Sequence, residues 1–232
     1  MEILAILQNK KNKLLGYLPY TKIVPAILTS DPIVFKQRVK GLSKISDRVD
    51  IDIIDNTLIQ GNVTLSLEEV LELLNEFETK VGIHFMTSHF DLELVRRSPK
   101  IENIVIEAKL MSDEEGYLDE ILNMVLEQNR RIRVGISFDP DDDLEEHIDV
   151  LKQFDFVQLM TVVPGKQGSP FELSVLKNLP ILFKENISVK LDGGINIENL
   201  DALLPEERVL IKQIEEVSVG EYFSEVFNEK DN

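Results

Sequence analysis

Two aspartates at alternate positions, Asp50 and Asp52, interrupt an otherwise apolar run, VDIDIIDN (49–56). Alternation by two is the period of a β-strand, so Val49, Ile51 and Ile53 share one face and both carboxylates share the other. Apolar residues on both sides of Asp50 predict a strand buried on both faces. Ionised carboxylates in a buried space cost several kcal/mol unless a bound cation, a shared proton or a nearby base offsets them. The strand therefore predicts a functional site, and other strands should supply its partners.

The same parity applied to the other short apolar runs selects them. In KVGIHFM (80–86), Val81, Ile83 and Phe85 take the outer face and leave His84 and Met86 inward. Ile104 and Ile106 likewise leave Glu107 inward, Val157 and Leu159 leave Met160, and Val189 and Leu191 leave Lys190 and Asp192. Asp50, Asp52, His84, Glu107 and Asp192 should then meet at one end of the strands. Carboxylates with one imidazole and no thiolate suit a divalent cation: zinc, manganese, iron or magnesium. Each residue alone has a plainer role. An aspartate at a strand end is commonly a turn or cap, which suits Asp55 and Asp139. A lone strand histidine is commonly a hydrogen-bonded core residue, Met86 and Met160 alone are core, and Lys190, set deeper than Asp192, can simply neutralise inward carboxylates. The conjunction of inward ionisable groups on separate strands is what argues for a site.

Eight strand candidates carry these residues: 22–29, 48–55, 80–86, 103–109, 133–138, 156–162, 187–193 and 216–222. Helical patterns separate them. Segment 66–77 opens with Ser66 and Glu69 spaced as a capping box, and 112–128 carries Leu118, Ile121, Leu122 and Val125 at helical spacing. Segments 141–154 and 170–184 open with an acidic run and with Pro170, both suited to a helix start, and a short helix at 196–204 ends at Pro205. This alternation predicts an α/β (β/α)8 TIM barrel, with chemistry at the C-terminal ends of the strands. An open doubly wound sheet would carry a glycine-rich turn after its first strand, where this chain has TSDP. No linker interrupts the pattern, so residues 1–232 read as one domain with 1–21 as a helical extension.

Composition narrows the function. Lys plus Arg is 25 and Asp plus Glu is 42, a net charge of -17, which argues against a nucleic-acid partner. There is no cysteine, no run of membrane-spanning length and no signal-peptide cleavage pattern, so a cytoplasmic protein is the expectation.

Five ordered segments resemble the ribulose-phosphate 3-epimerase family. They are VPAILTSD (24–31), VDIDIIDN (49–56), VGIHFM (81–86), VQLMTVVPGKQGSPF (157–171) and LDGGIN (191–196). The resemblance implies a barrel of the ribulose-phosphate-binding type and an isomerase that epimerises a ketopentose phosphate, D-ribulose 5-phosphate to D-xylulose 5-phosphate or a related sugar phosphate. It implies Asp52 and Asp192 as the acid/base pair on opposite faces of the substrate. It also implies a metal held by Asp50, Asp52, His84 and Asp192, steadying the enediolate. Met86 and Met160 would flank the substrate, and Gly165, Gly168, Gly193, Gly194 and Gly220 would grip its phosphate through backbone N–H groups. The family forms dimers or larger assemblies, so a homo-oligomer is expected on that ground alone.

The departures from the family pattern are specific. Asp50 stands where the family has a metal-binding histidine, Ala26 where it has a substrate-contacting serine, Glu107 where it has an inward histidine and Val163 where it has asparagine. Lys166, Gln167 and Glu221 alter the phosphate loops, and a carboxylate beside a phosphate is repulsive. These changes keep a second reading open, a catalytically inactive barrel retained for binding or structure. A third reading, a lyase or decarboxylase using Lys190 or Lys109, fits the Asp-x-Asp strand less well.

Overall fold

The computed structural model describes residues 2–112, 117–126, 132–164 and 169–228. Its strands are β1 (Lys22–Ile27), β2 (Arg48–Ile54), β3 (Lys80–Met86), β4 (Ile101–Glu107), β5 (Arg133–Phe138), β6 (Phe156–Met160), β7 (Val189–Asp192) and β8 (Glu216–Val219). All eight are parallel and close in sequence order, with β8 hydrogen-bonded to β1. The helices are α1 (Glu2–Tyr17), α2 (Pro32–Leu42), α3 (Leu67–Leu74), α4 (Leu92–Arg97), α5 (Tyr117–Leu126), α6 (Ile148–Leu151), α7 (Leu179–Lys184), α8 (Ile197–Ala202), α9 (Pro205–Ile211) and α10 (Glu221–Asn228). This is the (β/α)8 TIM barrel predicted by the strand-helix alternation.

The outward strand residues, Val49, Ile51, Ile83, Phe85, Val157 and Leu191 among them, join the apolar stripes of the helices in one buried cluster. Helix α1 belongs to the same cluster: Leu7, Leu14 and Leu18 are fully buried, and Lys10 Nζ bonds Tyr222 O at 2.6 Å and Glu225 Oε2 at 2.7 Å. The N-terminal helix is thus built into the shell around the strands.

Local chemistry explains the helix boundaries. Ser66 and Glu69 close a capping box at the start of α3, as their spacing requires. The helix expected over 141–154 is shorter, a 3-10 turn at Glu145–His147 leading into α6. The acidic run before it is spent on a turn, in which Asp139 N donates to Asp142 Oδ2 at 2.7 Å. Pro170 starts no helix: a 3-10 segment at Leu173–Asn178 precedes α7, whose first turn holds a later proline. Pro205 opens α9, where a proline's missing N–H costs nothing.

The interior of the barrel is polar in its lower half. Arg48 Nε donates to Asp50 Oδ1 at 3.0 Å and its guanidinium also bonds Glu216. Lys190 Nζ donates to Asp50 Oδ2 at 2.7 Å, and Ser218 Oγ donates to the same oxygen at 2.6 Å. Two buried cations and two buried anions therefore balance, the condition under which buried charge is tolerated. Gly82 makes room for this layer, because a Cβ there would overlap Asp50 Oδ1 and Asn103 Oδ1.

Candidate active site and metal centre

One layer above, at the C-terminal ends of the strands, three side chains converge. Asp52 on β2 lies in register with His84 on β3, and Asp192 ends β7 beside Met160 on β6. His84 Nδ1 is 3.5 Å from Asp52 Oδ1 and 3.8 Å from Asp192 Oδ2, and the three donor atoms all lie within 4.8 Å of one another. On the far side of the ring, His84 Nε2 is 2.8 Å from Glu107 Oε1. With the Nε2–H pointing to Glu107, loss of the Nδ1 proton would leave a lone pair facing the two aspartates, the tautomer a metal ligand needs.

The electrostatics show a surplus of negative charge. Burial disfavours the charged His84 ring, but the hydrogen bonds to Asp52 and Glu107 more than reverse this and raise it to about 10. Burial, then the charge of Asp52, pushes Asp192 up to about 7. Burial also raises Glu107, against the pull of His84. Protons are held where the negative groups outnumber the positive, and a cation in their place would relieve the same imbalance. Bonds of about 2.0–2.2 Å put neighbouring ligands roughly 3.0–3.6 Å apart, near the 3.5 Å and 3.8 Å that separate His84 Nδ1 from the two carboxylates.

Asp50 is not part of this group. It shares the parity of Asp52 but sits two residues earlier, one layer deeper, where Arg48, Lys190 and Ser218 engage both carboxylate oxygens. Burial alone would raise its pKa, and the charges of Arg48 and Lys190 more than reverse that, holding it well below the usual carboxylate range. The expectation of Asp50 as a metal ligand is corrected accordingly; its partners are the cations beneath the site. Lys190 belongs with it in the lower layer.

Asp52 and Asp192 line one pocket, together with Ala26, Met86, Met160 and Glu221. Gly193, Gly194 and Gly220 form part of its rim. Gly193 has φ +100° and Gly194 φ +62°, left-handed conformations that favour glycine. Gly165 and Gly168, with Lys166 and Gln167, lie outside the described residues. One residue at the site escaped the sequence reading. Gln158 on β6 is buried between His84 and Asp192. Its parity with Met160 was the available signal, and its uncharged side chain gave no reason to act on it.

A model of the ribulose-phosphate 3-epimerase family matches residues 22–211, most of the chain. A ribulose-phosphate 3-epimerase of Mycoplasma genitalium is 27% identical over 165 residues, covering 70% of this chain and 74% of that protein. That of Mycoplasma pneumoniae is 26% identical over 175 residues, covering 74% and 75%. Among solved structures, tryptophan synthase from M. tuberculosis in its aminoacrylate-bound form superposes with TM-score 0.62 at 9% identity, over 98% of this chain and 92% of that one. At that identity the likeness concerns the barrel alone. The family match spans β1 to α9 and takes in Asp52, His84 and Asp192, and the chain belongs to the ribulose-phosphate 3-epimerase family.

Proposed function

We propose that this chain is a working isomerase that epimerises a ketopentose phosphate, with D-ribulose 5-phosphate and D-xylulose 5-phosphate as the first substrates to try. The observation that carries this reading is the placement of Asp52 and Asp192 on the wall of one pocket, with His84 between them. Epimerisation removes the proton from the carbon that bears a hydroxyl beside the ketone and returns it to the other face. That needs two carboxyl groups, one to accept and one to donate. Asp52 and Asp192 are the two carboxyl groups on the pocket wall placed to do this.

Asp52, Asp192 and His84 Nδ1 would hold a divalent cation, with Glu107 fixing the ring. When bound, that ion supplies positive charge where negative charge develops on the substrate oxygens. The manganese, iron, zinc or magnesium forms all match a set of two carboxylates and one imidazole. Met86 and Met160 give the pocket an apolar wall that keeps water from the reacting carbon. The backbone at Gly193, Gly194 and Gly220 is the natural seat for the phosphate.

The test is exchange. Purified protein is stripped, reloaded with manganese or zinc, and incubated with each ketopentose phosphate in deuterated water. The expected result is deuterium appearing at the carbon next to the ketone, with the epimer formed alongside. Asp52→Asn and Asp192→Asn should each slow it about 10²–10⁴-fold. No exchange with any ketopentose phosphate, with metal demonstrably bound, would leave the inactive-barrel reading in its place.

A further inference from the structure

Asp52, His84 and Asp192 supply three donors to the cation site, and the fourth expected from the sequence, Asp50, is occupied below it. A different side chain lies against two of these three donors. The Gln158 amide nitrogen lies 3.2 Å from His84 Nδ1 and 3.0 Å from Asp192 Oδ2. The amide thus lies against both donor atoms that face the site and donates to Asp192. The other end of the same amide is unsatisfied: Oε1 is buried and has no hydrogen-bond partner among the described residues. An unpaired buried acceptor costs about 1–3 kcal/mol, so its presence calls for a reason.

A half-turn about the last side-chain bond exchanges the amide oxygen and nitrogen within nearly the same volume. Oε1 would then stand where Nε2 stands now, 3.2 Å and 3.0 Å from the two donor atoms. Those are the spacings of neighbouring ligands around one divalent ion. With both aspartates negative, an amide oxygen adds a fourth donor without a third negative charge. A carboxylate such as Asp50 in that place would have to bury one.

We infer that Gln158 is the fourth protein ligand of the cation site, its amide oxygen turning to the ion when the ion binds. Without the ion, the amide N–H donates to Asp192. The inference rests on the metal reading given above.

The test is manganese affinity, measured by competition with a chromophoric chelator on stripped wild type, Gln158→Leu and Gln158→Glu. The wild type should take up one ion. Gln158→Leu, of similar volume without a donor, should bind at least about tenfold more weakly. Gln158→Glu, which keeps an oxygen and loses the N–H groups, should bind at least as tightly as wild type. Unchanged or tighter binding in Gln158→Leu would overturn the inference alone, showing an amide that only competes with the ion. A wild type that takes up no ion would overturn both it and the metal reading. Should the leucine variant fail to fold, Gln158→Met and a crystal structure of manganese-loaded wild type decide the matter. The amide oxygen is expected at bonding distance from the ion, and an oxygen turned away overturns the assignment.

Discussion

His84 Nε2 and Glu107 Oε1 meet at 2.8 Å between neighbouring strands, with both side chains buried. The contact ties the ring to one orientation and one tautomer, so Glu107 is a positioning residue for the atom that faces Asp52 and Asp192. Its loss should loosen the ion rather than the fold. Glu107→Leu is expected to weaken metal binding about 10–100-fold. Glu107→Gln, whose amide oxygen still accepts from Nε2–H, should recover much of that loss. Chelator competition on the two variants measures the difference, and equal losses in both would argue against an orienting hydrogen bond.

Asp192 gives the protein a pH signature. Its carboxyl is pushed up to about 7 in the folded chain, whereas an unfolded aspartate titrates near 4. Between those values the folded state holds a proton that the unfolded state does not. The stabilisation from that proton is complete below about pH 4 and is lost as pH rises through about 7. The slope is at most about 1.4 kcal/mol per pH unit. In chelator, wild type should therefore lose stability relative to Asp192→Asn between about pH 5 and pH 7. Urea melts of both across that range supply the comparison, and parallel curves would show that Asp192 keeps an ordinary affinity for protons. Adding the cation should flatten the slope, because the ion replaces the proton.

Glu221 shares a stretch of pocket wall with Gly193, Gly194 and Gly220, the proposed seat of the phosphate. It is exposed, so water screens its repulsion for a phosphate, leaving an effect of about 1 kcal/mol. Glu221→Ser should then lower KM for a ketopentose phosphate roughly fivefold with kcat little changed. A KM that stays put, in steady-state kinetics at low salt, would place the phosphate away from Glu221.

Much of this arrangement was legible because parallel strands buried on both faces announce themselves as apolar runs. Val81, Ile83 and Phe85 fixed which way His84 points, and the same parity carried Asp52, Glu107 and Asp192 to the interior. Parity says nothing about depth. Asp50 and Asp52 read alike in the sequence, and only the stagger of a closed barrel puts one among Arg48 and Lys190 and the other beside His84. The helices were less legible where polar side chains compete with the backbone. Asp142 caps a turn at Asp139 and takes residues from the expected helix.

Asp50 offers the sharpest division between holding the barrel and holding the ion. Its carboxylate accepts from Arg48, Lys190 and Ser218, so Asp50→Asn leaves two buried cations against Glu216 alone. Breaking such a buried set costs about 3–5 kcal/mol, which for a chain of this size lowers Tm by roughly 6–20 °C. Stoichiometric metal binding should survive, because Asp52, His84 and Asp192 form their cluster without Asp50. Replacing charge by bulk in the pair Asp50→Leu/Lys190→Met removes one anion and one cation together and keeps Arg48 with Glu216. It should melt well above Asp50→Asn, as apolar replacements of buried ion pairs do. Elemental analysis and thermal melts on the same samples separate the two roles. A folded Asp50→Asn protein that no longer holds its ion would return Asp50 to the metal site.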